Sequence, residues 1–215
     1  MAVLTSDLHP APALAGLDPL TPPVTHLLYL HGFRSSPRSM KAVKVADRVR
    51  HVHPDVTWWC PALPPSPREA MALIRQGTVD WPRERMAVVG SSLGGFYATR
   101  VAVDTGCRAV LLNPAVDPAR DLARYIGEQT AWHDPEERFY FRAEFVTELR
   151  ELAGGALPHP ERVLAVIAQG DEVLDWREMV GRYPGVRLKL LDGSDHALSD
   201  FDDHMNEVFT HLQLA

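Results

Sequence analysis

The stretch Arg85-Met86-Ala87-Val88-Val89-Gly90-Ser91-Ser92-Leu93-Gly94-Gly95-Phe96 decides the reading of the fold. Met86 to Val89 is a short apolar run that stops at Gly90, as a buried strand should. From Leu93 to Thr105 the spacing of apolar residues is helical, and Gly106 closes the helix. A buried strand that turns directly into a helix is half of a parallel βαβ unit, so its neighbours are expected to repeat the alternation.

They do. Upstream, Val24 to Leu30 is an apolar run ending at His31-Gly32, and a helix follows with Ser36 as its expected cap, Pro37 in its first turn and Ala42, Val45, Ala46, Val49 and Val52 on one face. Val56 to Cys60 is β-rich and is broken by a proline loop, after which Ser66-Pro67-Arg68-Glu69 has the form of a capping box for a helix that Gly77 closes. Downstream, Cys107–Leu112, Arg162–Ala168 and Val186–Leu191 read as strands. Asp117-Pro118 starts a short helix ending near Gly127, Asp175 to Glu178 reads as a second capping box, and a last helix places Phe201, Met205, Val208, Phe209 and Leu212 on one face. The pattern predicts an α/β protein with a parallel sheet of about six strands and helices on both faces. Ligands of such sheets bind beyond the carboxyl ends of the strands.

Length and composition agree with one domain. The chain has 215 residues, 46% of them hydrophobic and 23% charged. No apolar run reaches the roughly 18 residues of a membrane span, and a net charge of −6 argues against nucleic acid as the partner. Residues 1–23 are proline-rich and read as an N-terminal extension, with the domain proper at 24–215. Cys60 and Cys107 are the only cysteines, each after a strand-like run, which fits reduced thiols and a cytoplasmic setting.

Gly90-Ser91-Ser92-Leu93-Gly94 matches G-x-S-x-G in the strand–turn–helix context that gives the pattern its meaning. The register selects Ser92, because Ser91 would need glycines where Val89 and Leu93 stand. Side chains on either flank of so sharp a turn would collide, and Gly90 and Gly94 remove them. A serine hydroxyl is a weak nucleophile, so it needs a base, and the base needs an acceptor to hold its tautomer. Of the ten histidines, His196 stands in the loop between the last strand and the last helix, whereas His204 reads as surface. For the acid, Asp171 follows a buried strand directly in Gln169-Gly170-Asp171; Asp175 competes but already serves as an N-cap, and Asp195 adjoins His196 in sequence. The backbone N–H groups of Leu93 and Phe33 are the expected oxyanion donors, and His31 reads as a histidine bonded within its own loop. His51-Val52-His53 is weak evidence for zinc, and no cluster has metal-ligand spacing with enough partners.

Leu28-Tyr29-Leu30-His31-Gly32-Phe33, Ser35-Ser36-Pro37-Arg38-Ser39, Leu63-Pro64-Pro65, Gly90 to Gly95, Asn113-Pro114-Ala115-Val116, Gln169 to Asp175 and His196-Ala197 together resemble the YqiA-like esterases, a bacterial branch of the α/β-hydrolase superfamily. The order is collinear from about Leu27 to Leu212, and 128–160 matches poorly. The resemblance implies an α/β-hydrolase fold and hydrolysis of carboxylic esters, with acyl thioesters as a further class. It also implies Ser92, Asp171 and His196 as the triad, with no metal or organic cofactor. An acyltransferase, a carbon–carbon hydrolase or a non-catalytic receptor on the same scaffold remain alternatives.

The segment 128–160 is longer than a crossover needs and reads as a small cap, in which Trp132, Phe139, Tyr140, Phe141 and Phe145 either line an acyl pocket or form a satellite core. Arg34, Arg38, Lys41, Lys44, Arg48 and Arg50 form a basic run. Arg34 and Arg38 are candidates to meet a phosphate-bearing leaving group, while a solvated helix face is the simpler reading of the run. Acidic residues from Asp192 to Glu207 crowd the region of His196.

Overall fold

A computed structural model describes residues 22–132, 134 and 136–215. The expected extension at 1–23 therefore lies almost wholly outside the described residues. From Val24 the chain is tied down, its N–H donating to the Gln213 carbonyl while its own carbonyl accepts from Ala215.

The elements run β1 (His26–Leu30), α1 (Met40–Val52), β2 (Thr57–Trp59), α2 (Pro67–Gly77), β3 (Met86–Ser91), α3 (Leu93–Thr105), β4 (Arg108–Leu112), α4 (Pro118–Leu122), β5 (Gly127–Thr130), β6 (Arg138–Phe141), α5 (Ala143–Leu152), β7 (Val163–Ala168), α6 (Trp176–Arg182), β8 (Arg187–Leu191) and α7 (Phe201–Leu212). Six strands pair in the order β2-β1-β3-β4-β7-β8, every pair parallel, and β5 pairs antiparallel with β6 in a separate hairpin.

The period of two along the strands sorts the core. Leu28, Leu30, Val88, Leu111, Ala165 and Ile167 face the layer that contains α2, α3 and α6. Leu27, Tyr29, Val89, Val110, Leu112 and Val166 face α1 and α7. Burial on both faces explains why these strands read as unbroken apolar runs.

Local chemistry sets the element ends. The Ser66 hydroxyl accepts from Glu69 N–H at the start of α2, as expected from the capping box. Three expectations are corrected. Helix α1 begins at Met40 with Ser39 as N-cap; Ser36 instead accepts from Arg38 N–H in a turn before it, because the prolyl turn at 36–38 delays the helix. Asp175 does cap α6, through Arg177 N–H, but Glu178 turns away to a two-pronged pair with Arg120 rather than back to the cap. His204 is only 13% exposed at its side chain and meets Asp200.

The stretch expected as a small cap contains regular elements. Helix α4 ends at Leu122, a 3-10 turn continues to Tyr125, and Gly127 opens the β5–β6 hairpin, followed by α5. Phe139 and Phe141 point inward from β6 while Arg138 and Tyr140 are exposed. Glu148 on α5 accepts from the Ser66 hydroxyl and Arg68 N–H, fastening α5 to the start of α2.

Candidate active site

Ser92 lies in the turn between β3 and α3 with φ 56° and ψ −120°, a backbone state that costs a non-glycine residue on the order of 1–3 kcal/mol. The surroundings over-determine it. Ser92 N–H donates to the Leu112 carbonyl, and its own carbonyl accepts from Gly95 and Ala115 N–H. A Cβ on Gly90 would stand 2.6 Å from the Ala98 methyl, and one on Gly94 would stand 2.7 Å from the His31 carbonyl oxygen. Gly90 thus has the local steric cause inferred from sequence, whereas Gly94 is required by the backbone at the end of β1, far away in sequence.

Beyond the strand ends the three singled-out side chains meet. The Nε2 atom of His196 is 3.1 Å from Ser92 Oγ, and its Nδ1 atom is 2.8 Å from Asp171 Oδ2. With Nδ1–H donating to the carboxylate, Nε2 is left as the acceptor for the serine O–H. The Asp171 side chain is fully buried, and its other oxygen accepts from Val173 and Leu174 N–H at 2.8 Å each. The competing aspartates face elsewhere. Asp175 caps α6, and the Asp195 carboxylate accepts from the hydroxyl and N–H of Ser199, which hold it below the usual carboxylate range.

The His31–Arg34 loop lies against this turn. A Cβ on Gly32 would be 3.2 Å from Ser92 Cβ, so a larger residue would push the loop and the turn apart by a few tenths of an ångström. The His31 ring is bonded within its surroundings, donating to the Gly32 carbonyl while accepting from Leu63 N–H. Among the described residues, the N–H groups of Phe33 and Leu93 donate to no backbone carbonyl, the latter because it opens α3. The hairpin closes over this loop. Phe33 packs against Tyr125, Phe139 and Phe141 with ring centroids 5.6, 5.8 and 5.2 Å apart. Arg34 donates to the carbonyl and hydroxyl of Thr130, and its guanidinium lies 4.1 Å over the Trp132 ring.

Two cavities meet at Ser92 and His196. The larger, about 500 Å³, is walled by Phe33, Leu93, Leu122, Tyr125, Val173 and Leu174, with Arg34, Arg124, Asp121 and Glu172 also lining it. The smaller, about 250 Å³, runs under Ser35, Ser39 and Lys41. Trp132 lines both. Of the other expected pocket residues, Phe139 lines a third cavity beside Phe33 and Phe141 is buried in the core. Arg38 is exposed and lines neither cavity at Ser92.

Two residues carry a role that the sequence reading did not assign. Asn113, fully buried with φ 42°, donates from Nδ2 to the carbonyls of Asp195 and His196 and accepts Ala168 N–H on Oδ1. Lys41, read within a solvated basic face, is 9% exposed and donates to the Ala197 carbonyl. Its position one turn before Val45 on the apolar stripe was the available signal. Elsewhere in that basic run, Lys44 pairs with Asp202 at the acidic start of α7, while Arg50 pairs with Asp47 within α1. Among the described residues no group of His, Cys, Asp and Glu could hold a metal ion, and no helix is long and apolar enough to cross a membrane.

The fold recurs in solved proteins. Mouse alpha/beta hydrolase domain-containing protein 10 matches with a TM-score of 0.62 at 16% identity, covering 90% of this chain and 92% of its own. Est1E from Butyrivibrio proteoclasticus matches with a TM-score of 0.62 at 15% identity, covering 87% and 86%. At such identities the likeness establishes the α/β-hydrolase fold. In sequence, a UPF0227 protein of Yersinia pseudotuberculosis is 27% identical over 191 residues, 85% of this chain and 96% of the relative, and one of Yersinia pestis matches equally. The model of the uncharacterised protein family UPF0227, the YqiA family, matches residues 26–213, and the chain belongs to that family.

Proposed function

We propose that this protein is a serine hydrolase that cleaves carboxylic esters of small molecules, and acyl thioesters by the same route, through an acyl-enzyme on Ser92. The observation that carries the reading is the unbroken chain from Ser92 Oγ through the His196 ring to the buried Asp171 carboxylate, set on a strained turn at the sheet's carboxyl edge.

In the acylation step Ser92 Oγ bonds to the acyl carbon while its proton passes to His196 Nε2. Asp171 keeps Nδ1 protonated and stabilises the imidazolium. The negative charge moves to the former carbonyl oxygen, which Phe33 and Leu93 N–H groups bind at the N-terminus of α3. Collapse breaks the bond to the leaving alcohol or thiol, which takes the proton from His196. Water, deprotonated by His196, then attacks the acyl-serine; the acid departs and the proton returns to Ser92 Oγ. The β5–β6 hairpin and α5 act as a cap, and the acyl chain lies in the larger, mainly apolar cavity. The scheme needs no metal or organic cofactor. Cys60 and Cys107 are free thiols, which suits a reducing, cytoplasmic setting.

The test is covalent labelling with a fluorophosphonate probe and mass spectrometry of the modified peptide, with Ser92→Ala and heat-denatured protein as controls. Labelling confined to Ser92 supports the reading; an unlabelled, folded wild-type protein that also leaves 4-nitrophenyl butyrate intact overturns it.

A further inference from the structure

The mechanism above leaves the Lys41 ammonium unused. Lys41 is the second residue of α1, is 9% exposed and lines the smaller cavity beside Ser92 and His196. An ammonium carries three donors, and the Ala197 carbonyl takes one. Among the described residues no carboxylate lies within ion-pair distance; Asp195 and Asp171 act on it only at longer range. A buried cation whose nearest carboxylates act only at longer range is costly, and burial pushes this one down to about 8 against their pull, so it still carries its charge at neutral pH.

The rest of the cavity adds donors. The Ser39 hydroxyl, at the N-cap of α1, makes no capping bond, so the positive end of a 13-residue helix is left uncapped beside Lys41. Ser35 also lines the cavity, and no carboxylate does. The larger cavity differs, since Glu172 and Asp121 line it together with Arg34 and Arg124.

The geometry points to a carboxylate subsite formed by Lys41, Ser39 and Ser35, so that the preferred substrates are esters of a small alcohol that itself bears a carboxylate. This rests on the ester-hydrolase reading and specifies its leaving group. The larger cavity contains both proposed oxyanion donors and an apolar wall, which suits the acyl chain. The alcohol then occupies the smaller one, where a single cation matches a single negative charge.

The test compares 4-acetoxybenzoate with its neutral isostere 4-acetoxybenzamide. The expected result is a kcat/KM for the carboxylate at least about tenfold higher, as for a charge-assisted hydrogen bond, and loss of that ratio in Lys41→Met, whatever the change common to both esters. Should that variant not fold, calorimetry on the wild-type protein decides: 4-hydroxybenzoate should bind on the order of tenfold more tightly than 4-hydroxybenzamide. Equal kcat/KM values, or a preference for the amide, overturn the subsite while ester hydrolysis stands. No turnover of either ester or of 4-nitrophenyl butyrate overturns both.

Discussion

Asn113 and His196 are joined across the sheet edge. The Asn113 side-chain amide donates to the carbonyls of Asp195 and His196 while its oxygen takes Ala168 N–H, so one buried residue braces the loop bearing the histidine and the strand end that leads to Asp171. Asn113→Asp keeps a residue that tolerates φ 42° but turns a carboxylate toward two carbonyls. We expect kcat to fall by about ten- to a hundredfold with KM little changed, and stability to fall by about 1–3 kcal/mol. Steady-state kinetics and urea unfolding check both. A drop in stability with kcat unaltered would mean that the brace serves folding alone.

Asp171→Asn tests the tautomer. If the amide oxygen keeps the bonds from Val173 and Leu174 N–H, the amide NH2 faces His196 Nδ1 and the ring must place its proton on Nε2. It then cannot accept from Ser92. Turnover should fall on the order of 10⁴-fold, the size of loss that the wrong histidine tautomer causes in serine proteases, while the thermal midpoint moves little. Stopped-flow and circular dichroism separate the two effects.

Gly32→Ala tests the close approach of the proposed oxyanion loop. Its Cβ would sit 3.2 Å from Ser92 Cβ and 3.4 Å from the Ser91 carbonyl oxygen, so the loop must shift by a few tenths of an ångström. The protein should fold, and its kcat should drop by about tenfold or more because Phe33 N–H is displaced. Retained kcat would argue against Phe33 as a donor.

His211 contributes to acid sensitivity. Burial pushes its imidazole down to about 4, and in the folded protein the ring donates to the Arg162 carbonyl. Between its unfolded value of about 6.5 and 4, the unfolded chain binds the proton and the folded one does not, so stability falls as pH drops through that window and rises as pH increases. The difference, at about 1.4 kcal/mol per pH unit, is on the order of 3 kcal/mol. Urea unfolding from pH 7 to 4 should show this loss in the wild-type protein and a shallower one in His211→Gln.

Much of the fold was legible because a parallel sheet buried on both faces writes itself as short apolar runs. Met86–Ser91 and Val163–Ala168 are buried at every position, and neither can be mistaken for a surface segment. The β5–β6 hairpin was not legible. Gly127-Glu128-Gln129-Thr130 has no apolar alternation of its own, and its partner strand is held by Phe33, distant in sequence.

The candidate site divides in the same way. Sequence alone determined where a serine could stand in a sharp turn, because the G-x-S-x-G spacing and its strand–helix context are local and Gly90 answers to Gly94 and Ala98, although Gly94 itself answers to the backbone at the end of β1. It also narrowed the acid to a strand end. Only tertiary structure decided that Asp171 rather than Asp175 meets His196, that Asn113 braces their loops and that Lys41 turns inward beside them. Those outcomes depend on the direction in which loops from non-adjacent strands converge, and local spacing carries no record of direction across a sheet.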